Sequence, residues 1–210
     1  MHSKSIGGFI VESRPHPDFL GERWWHDLDI ILDQAQKLSM KVWIFDDSSY
    51  PSGYGGGRIK EVHPEYLKIY LAERHIDTIG PLSGSSFFIQ SWLEAGDNLE
   101  KVIAARRIDG ADRIDANTLL YLTGKVSQGI LYWDVPEGDW RIFILISTRN
   151  GGEDWTRDYL NPLVPQPVRA YIDFVYEAHY QHYAEHFGNT IAGFFSDEPR
   201  FGNASGVDPV

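Results

Sequence analysis

The sequence of 210 residues contains no cysteine. That excludes disulfides, thiolate metal sites and a cysteine nucleophile together. No apolar stretch approaches the roughly 20 residues of a membrane-spanning helix. No basic run is long enough to hold an anionic membrane surface. Positive charge is scarce: 19 Lys and Arg stand against 30 Asp and Glu, a formal net charge of -11. Such a chain repels a phosphate backbone, which argues against general nucleic-acid binding. No internal repeat or low-complexity segment is seen. Met1-His2-Ser3-Lys4-Ser5 is not followed by a signal-peptide core, so a cytoplasmic protein is expected.

Aromatic side chains, by contrast, are plentiful: 7 Trp, 11 Tyr and 11 Phe, 14% of the chain. Sugar sites stack pyranose faces on such rings, and so do protein cores on each other, so the composition permits a carbohydrate ligand without demanding one. With 42% hydrophobic and 23% charged residues the chain is of the folded, globular kind.

The apolar pattern divides the chain in three. Ile6 to Val11 and Lys41 to Phe45 are short apolar runs that read as buried strands. Between them, Trp24, Leu28, Ile31, Ala35 and Leu38 recur at helical spacing, which predicts a helix over Glu22 to Ser39. A glycine-rich loop, Asp46 to Gly57, follows the second strand, and His63-Pro64-Glu65 opens a further helix. That order predicts a parallel α/β domain over 1–75. Ser86 to Trp92, Lys101 to Ile108, Thr118 to Thr123, Gln128 to Val135 and Trp140 to Thr148 then read as strands of an inserted antiparallel β domain over 76–150. Its last two strands are joined by a hairpin turn at Pro136-Glu137-Gly138-Asp139, with Trp133 and Trp140 packing across it. Over 151–210 the α/β pattern resumes with a helix from Gln166 to Phe187 and a strand from Thr190 to Phe195.

Parallel α/β folds carry their chemistry at the carboxyl ends of strands. Here the three strands end in Glu12 and Arg14, in Asp46 and Asp47, and in Asp197 and Glu198. Carboxylates converging from separate strands are what glycosidic cleavage needs, one protonated to donate and one ionised. Glu198 lies just past an apolar strand and before Pro199, where burial beside Phe194 and Phe195 favours an acid role. A solvated acidic strand end has the same sequence. Asp46 and Asp47 are placed to bond sugar hydroxyls, and Tyr50 or Tyr54 to stack on a ring. A phosphate loop is the rival, although the loop lacks the Lys-Ser/Thr ending of a P-loop. An ordinary connecting loop is the third reading. His179, His182 and His186 share one helical face, as metal ligands or as a packing stripe continuing Val168, Ile172 and Val175. Trp24-Trp25 reads as core and helix-start packing rather than as a sugar platform.

Several of these segments resemble one bacterial group. They are Gly7-Gly8-Phe9 through Arg14-Pro15, the helix with Trp24-Trp25, and Phe45-Asp46-Asp47 through Pro51-Ser52-Gly53 and Gly56-Gly57. Trp133 to Trp140, Asp158-Tyr159-Leu160-Asn161 and Phe195-Ser196-Asp197-Glu198-Pro199 complete the set. Taken in order they are similar to the α-L-rhamnosidase-like glycoside hydrolases related to family 106. The resemblance implies a TIM-type (β/α)8 barrel with an inserted antiparallel β domain, present here only in part, as three barrel strands. It implies that Glu198, with Asp197 beside it, is the acid/base at the end of a barrel strand. It places Asp46, Asp47 and the loop of Ser52 and Gly53 along the sugar subsite, with Arg14 near. Such proteins often carry His-Ala where this chain has Glu12-Ser13, and Glu-Asp-Arg-Trp where it has Asp47-Ser48-Ser49-Tyr50. The expected partner is a carbohydrate substrate. No cofactor is required, a calcium ion at the substrate hydroxyls being left open. Two alternatives stand beside hydrolysis: a non-catalytic carbohydrate-binding fragment, and a homo-oligomer or a missing barrel half completing the open sheet edges.

Overall fold

The computed structural model describes residues 4–150 and 152–202. Met1, His2 and Ser3, read above for targeting, lie outside the described residues, as do 151 and 203–210 of the last predicted segment. In chain order the first elements are strand β1 (Gly8–Val11), helix α1 (Glu22–Lys37), strand β2 (Lys41–Phe45) and the short helix α2 (Arg58–Val62). Seven strands follow: β3 (Tyr70–Leu82), β4 (Ser86–Phe88), β5 (Asn98–Arg107), β6 (Ile114–Tyr121), β7 (Val126–Ser127), β8 (Ile130–Tyr132) and β9 (Val135–Thr148). Helices α3 (Pro165–Tyr171) and α4 (Ala178–Tyr183) are joined by a π-helical stretch, Ile172–Glu177, and strand β10 (Ile191–Phe195) ends the series. The chain divides into two compact units. One takes the described residues up to Lys68 and from Glu153 onward; the other is Ile69–Gly152.

In the first unit β1, β2 and β10 form a three-stranded parallel sheet with β2 central. Val11, Val42, Ile44 and Ile191 point to one face. There they meet Trp24, Leu28, Leu32 and Ala35 of α1, each no more than 2% exposed, and Tyr183 of α4. Burying side chains of this size contributes about 1.5–3 kcal/mol each, which is why the 3.6-residue period of α1 is legible in the sequence. A second cluster, including Tyr54, Ile59, Tyr159, Tyr171 and Val175, supports the loop that follows β2.

The other face of the sheet carries Ile10, Trp43 and Phe195, which are 48%, 39% and 41% exposed. A closed barrel fills that side of its strands with packed side chains. The expectation of a partial TIM-type (β/α)8 barrel is corrected here. Among the described residues three strands run parallel, no sheet closes on itself, and the other seven strands are all antiparallel. After β2 the chain makes a 3-10 turn at Gly55–Gly57, the five residues of α2 and a second 3-10 turn at Pro64–Tyr66 before it enters β3. The helix expected from His63 is not there.

The second unit holds a four-stranded sheet in the order β3-β9-β5-β6 and a small one in the order β4-β8-β7. Val102, Ala104, Ile142, Ile144 and Ile146 pack with Ile89, Leu131, Trp133 and Trp140 in its core. β3 and β9 pair from Tyr70↔Thr148 to Leu82↔Val135. The hairpin expected at Pro136–Asp139 is therefore replaced by continuous strand, with Ile79 opposite Asp139 and Gly80 opposite Gly138. Trp133 and Trp140 do touch, edge to face at 5.6 Å between ring centroids. The unit begins at Ile69 rather than at 76, because β3 belongs to this sheet.

Candidate functional site

Because β1, β2 and β10 run parallel, their carboxyl ends share one rim. Glu12 and Arg14, Asp46 and Asp47, and Asp197 and Glu198 all arrive there, but in two different environments.

Asp46 and Asp47 turn inward and are 0% exposed. Asp47 Oδ2 accepts the N–H groups of Gly53, Tyr54 and Gly55 at 2.9, 2.7 and 2.8 Å. Its Oδ1 accepts those of Gly56 and Ser49 at 3.1 and 3.2 Å. Burial pushes its carboxyl above the usual range, and the loop N–H groups draw it back. The loop can curl so tightly because Gly53 stands at φ +140°, where a Cβ would lie 2.5 Å from the Tyr159 ring.

Asp46 is closed off differently. Ser52 Oγ donates to its Oδ1, and the Tyr176 hydroxyl donates to its Oδ2 at 2.6 Å. The Tyr171 hydroxyl donates to its carbonyl at 2.9 Å. Tyr171 and Tyr176 are five residues apart, which in an α-helix turns them about 140° from each other. The wider turn of the intervening π-helix brings both onto Asp46. Burial holds both phenols well above their ordinary pKa. Asp46 and Asp47, expected to bond sugar hydroxyls, are both 0% exposed here, and each of their carboxylate oxygens already accepts a hydrogen bond from the protein.

Ser52 and Gly53 likewise bond to the scaffold. The Ser52 N–H donates to the Asp197 carbonyl, and Ser52 Oγ accepts the Asp197 N–H, both at 2.9 Å. The Tyr159 hydroxyl donates to the Ser52 carbonyl at 2.5 Å and accepts the Arg200 N–H at 2.9 Å. The loop after β2 is thereby stitched to the segment after β10.

The open part of the rim consists of Glu12, Arg14, Tyr50, Asp197 and Glu198. Arg14 Nε donates to Glu12 at 2.8 Å, and Nη2 lies 3.5 Å from Asp197 Oδ2. Its guanidinium carbon sits 4.1 Å from the Phe45 ring centroid. The bond from Arg14 keeps the Glu12 carboxyl below its usual range. Tyr50 is 46% exposed, and its hydroxyl donates to Glu198 Oε2. Glu198 is itself exposed, contrary to the burial expected beside Phe194 and Phe195. Its backbone is left-handed, at φ +39°. Asp197, half-buried and paired with Arg14, is a partner of the guanidinium.

The three histidines belong to packing. Trp24 Nε1 donates to His179 Nε2 at 2.9 Å, and His179 Nδ1 bonds the Val175 carbonyl at 2.6 Å. His182 stacks on Trp25 at 4.0 Å, and His186 lies edge-on to Tyr183 at 6.1 Å. Among the described residues no group of three or more His, Asp or Glu is placed to hold a metal. None of their helices is long and apolar enough to cross a membrane.

Of the three tyrosines that brace the loop, Tyr171 and Tyr176 are not singled out by the sequence pattern, and neither is Lys68. Lys68 is 5% exposed, donates from Nζ to the Gly202 carbonyl at 3.1 Å, and lies 4.9 Å from the Tyr159 ring centroid. Burial lowers its pKa to about 8. Only the Asp158-Tyr159-Leu160-Asn161 segment carried a signal for any of them. Comparison with protein-family models, curated proteins and solved structures gives no match to this chain.

Proposed function

We propose that this rim binds a carbohydrate and hydrolyses its glycosidic bond, with Glu198 exchanging the proton of the leaving oxygen. One observation carries the proposal. Glu198 is an exposed carboxylate at a parallel strand end, held in a left-handed backbone conformation that costs about 1–2 kcal/mol for a residue other than glycine. A group kept in a costly conformation at an open edge is a candidate for chemistry rather than for packing. Protonated Glu198 gives its proton to the glycosidic oxygen as the anomeric C–O bond breaks. Water adds to the anomeric carbon and returns a proton to the carboxylate. Arg14, Glu12 and Asp197 offer donors and acceptors to ring hydroxyls from the same rim.

A second reading is non-catalytic carbohydrate binding. The internal closure of Asp46 and Asp47 favours it, because it withdraws two carboxylates from the chemistry. The two readings separate on one pair of measurements. Hydrolysis of a panel of aryl glycosides by the 210-residue chain, reduced about 100-fold or more in Glu198→Gln, supports catalysis. Saturable binding of a monosaccharide without turnover supports the second reading. Neither binding nor turnover refutes both.

A further inference from the structure

The sequence offered Tyr50 as a ring for a sugar to stack on. Its hydroxyl, however, is committed to Glu198 Oε2, while Glu198 Oε1 takes no hydrogen bond among the described residues. The two residues come from different strand ends, 148 positions apart. Their segments are tied twice more, by the Ser52 N–H to the Asp197 carbonyl and by the Asp197 N–H to Ser52 Oγ. The meeting of phenol and carboxylate is therefore built into the backbone. An exposed glutamate without a partner rotates freely about three side-chain bonds and spends little time in any one pose. Here one oxygen is pinned and the other is open.

We infer that Tyr50 is a positioning residue for Glu198, its O–H holding Oε2 so that Oε1 is the oxygen presented to the glycosidic bond. The inference rests on the proposed role of Glu198 and adds a second residue to it. Arg14, 5.8 Å from the Tyr50 ring centroid, leaves the hydroxyl free for this bond, since it pairs with Glu12 and Asp197. The charges acting on the phenol are Glu198 and Asp197, which favour its protonated form, and Arg200, which opposes them. The net direction is upward, so Tyr50 keeps its proton through the neutral range and stays a donor.

The test compares wild type, Tyr50→Phe and Tyr50→Ala in the 210-residue chain, with thermal melts confirming that the variants fold. On an aryl glycoside Tyr50→Phe is expected to lower kcat by about tenfold to a hundredfold, as loss of alignment does. KM should stay within about twofold. If Tyr50 acts by stacking, Tyr50→Phe keeps both constants and only Tyr50→Ala raises KM; that result overturns the inference. A readout independent of turnover is the titration of the Tyr50 Cζ resonance in tyrosine-labelled protein, assigned by its absence in Tyr50→Phe. Its midpoint should fall in Glu198→Gln, and an unchanged midpoint also overturns the inference. A wild-type chain that turns over no glycoside overturns the proposed function instead, and the Tyr50 titration still decides whether the pair exists.

Discussion

His179 is expected to make the first unit acid-labile. It is 0% exposed and surrounded by Phe19, Trp24, Trp25 and Phe194 at 4.9–6.2 Å between ring centroids. An indole N–H can only donate, so Trp24 fixes His179 Nε2 as an acceptor and leaves the proton on Nδ1, bonded to Val175. A second proton would have to enter at Nε2, against the Trp24 N–H. Burial therefore lowers the pKa from 6.5 to about 4. The unfolded chain takes up this proton near pH 6.5 and the native protein does not, so stability is full above that pH and falls as pH drops toward 4. The whole separation is worth roughly 3 kcal/mol, of which roughly 2.5 kcal/mol is lost by pH 4.5. Against a typical total of about 5–15 kcal/mol that is a large share. The assay is urea unfolding followed by tryptophan fluorescence, for wild type and His179→Gln, from pH 7.5 to 4.5. His179→Gln starts less stable, and its deficit should shrink by roughly 2.5 kcal/mol over that range. Stability curves that stay parallel would refute the reasoning.

Three further outcomes follow from the geometry. Asp47→Asn keeps one acceptor oxygen and leaves at least two of the five loop N–H donors unpaired, so it should cost about 2–4 kcal/mol in denaturant unfolding; a loss below 1 kcal/mol would mean that water replaces the carboxylate. Glu198→Gly relieves the φ of +39° at some cost in chain entropy, so it should raise stability by about 0.5–1 kcal/mol in thermal melts while ending the proposed hydrolysis. In the second unit Arg141 donates from Nε and Nη2 to Asp77 at 2.7 and 2.9 Å. Arg141→Met should cost about 2 kcal/mol at pH 7. The Arg141 bond holds the Asp77 carboxyl below 3.8, so the wild-type advantage should persist above that pH and fade as the acid range is entered.

The elements that read correctly are those with one strongly apolar face. For α1 the expected stripe is Trp24, Leu28, Ile31, Ala35 and Leu38; Trp24, Leu28 and Ala35 are buried, Ile31 is half-buried, Leu38 is exposed and Leu32 completes the buried face, while β2 is a short run of Val, Trp, Ile and Phe; the bounds of both elements match within two residues. β3 is hard to see in the sequence because it contributes only Ala72 and Ile76 to the core, and the polar residues Glu73, Arg74, His75 and Asp77 mask the alternation. β9 was cut at Pro136–Asp139 because that tetrapeptide has the composition of a turn, yet pairing to β3 carries the strand straight through it. The barrel is an implication of the family resemblance; the local strand–helix–strand order by itself predicts only a parallel α/β domain. Local order shows that two strands lie parallel. How many more join them, and whether they close, depends on pairings between segments far apart in the chain.

The same limit explains the site. That three strand ends meet at one rim follows from their being parallel, and this much was legible. Which way each carboxylate turns there was not. Asp46-Asp47 before a glycine-rich loop looks like a pair of hydroxyl ligands, but that loop brings its own backbone N–H groups, and an adjacent carboxylate is their nearest acceptor. Gly53, Tyr54, Gly55 and Gly56 reach Asp47 before any ligand does. The tyrosines closing Asp46 lie 125 and 130 residues away and depend on a π-helical turn that no residue type announces. Glu198 is the opposite case. Phe194 and Phe195 before it predict burial, but the left-handed turn at its own backbone carries it away from that apolar run and out to Tyr50. A carboxylate beside a loop rich in free N–H groups is thus better read first as that loop's organiser. One pushed outward by its backbone is the better candidate for a ligand.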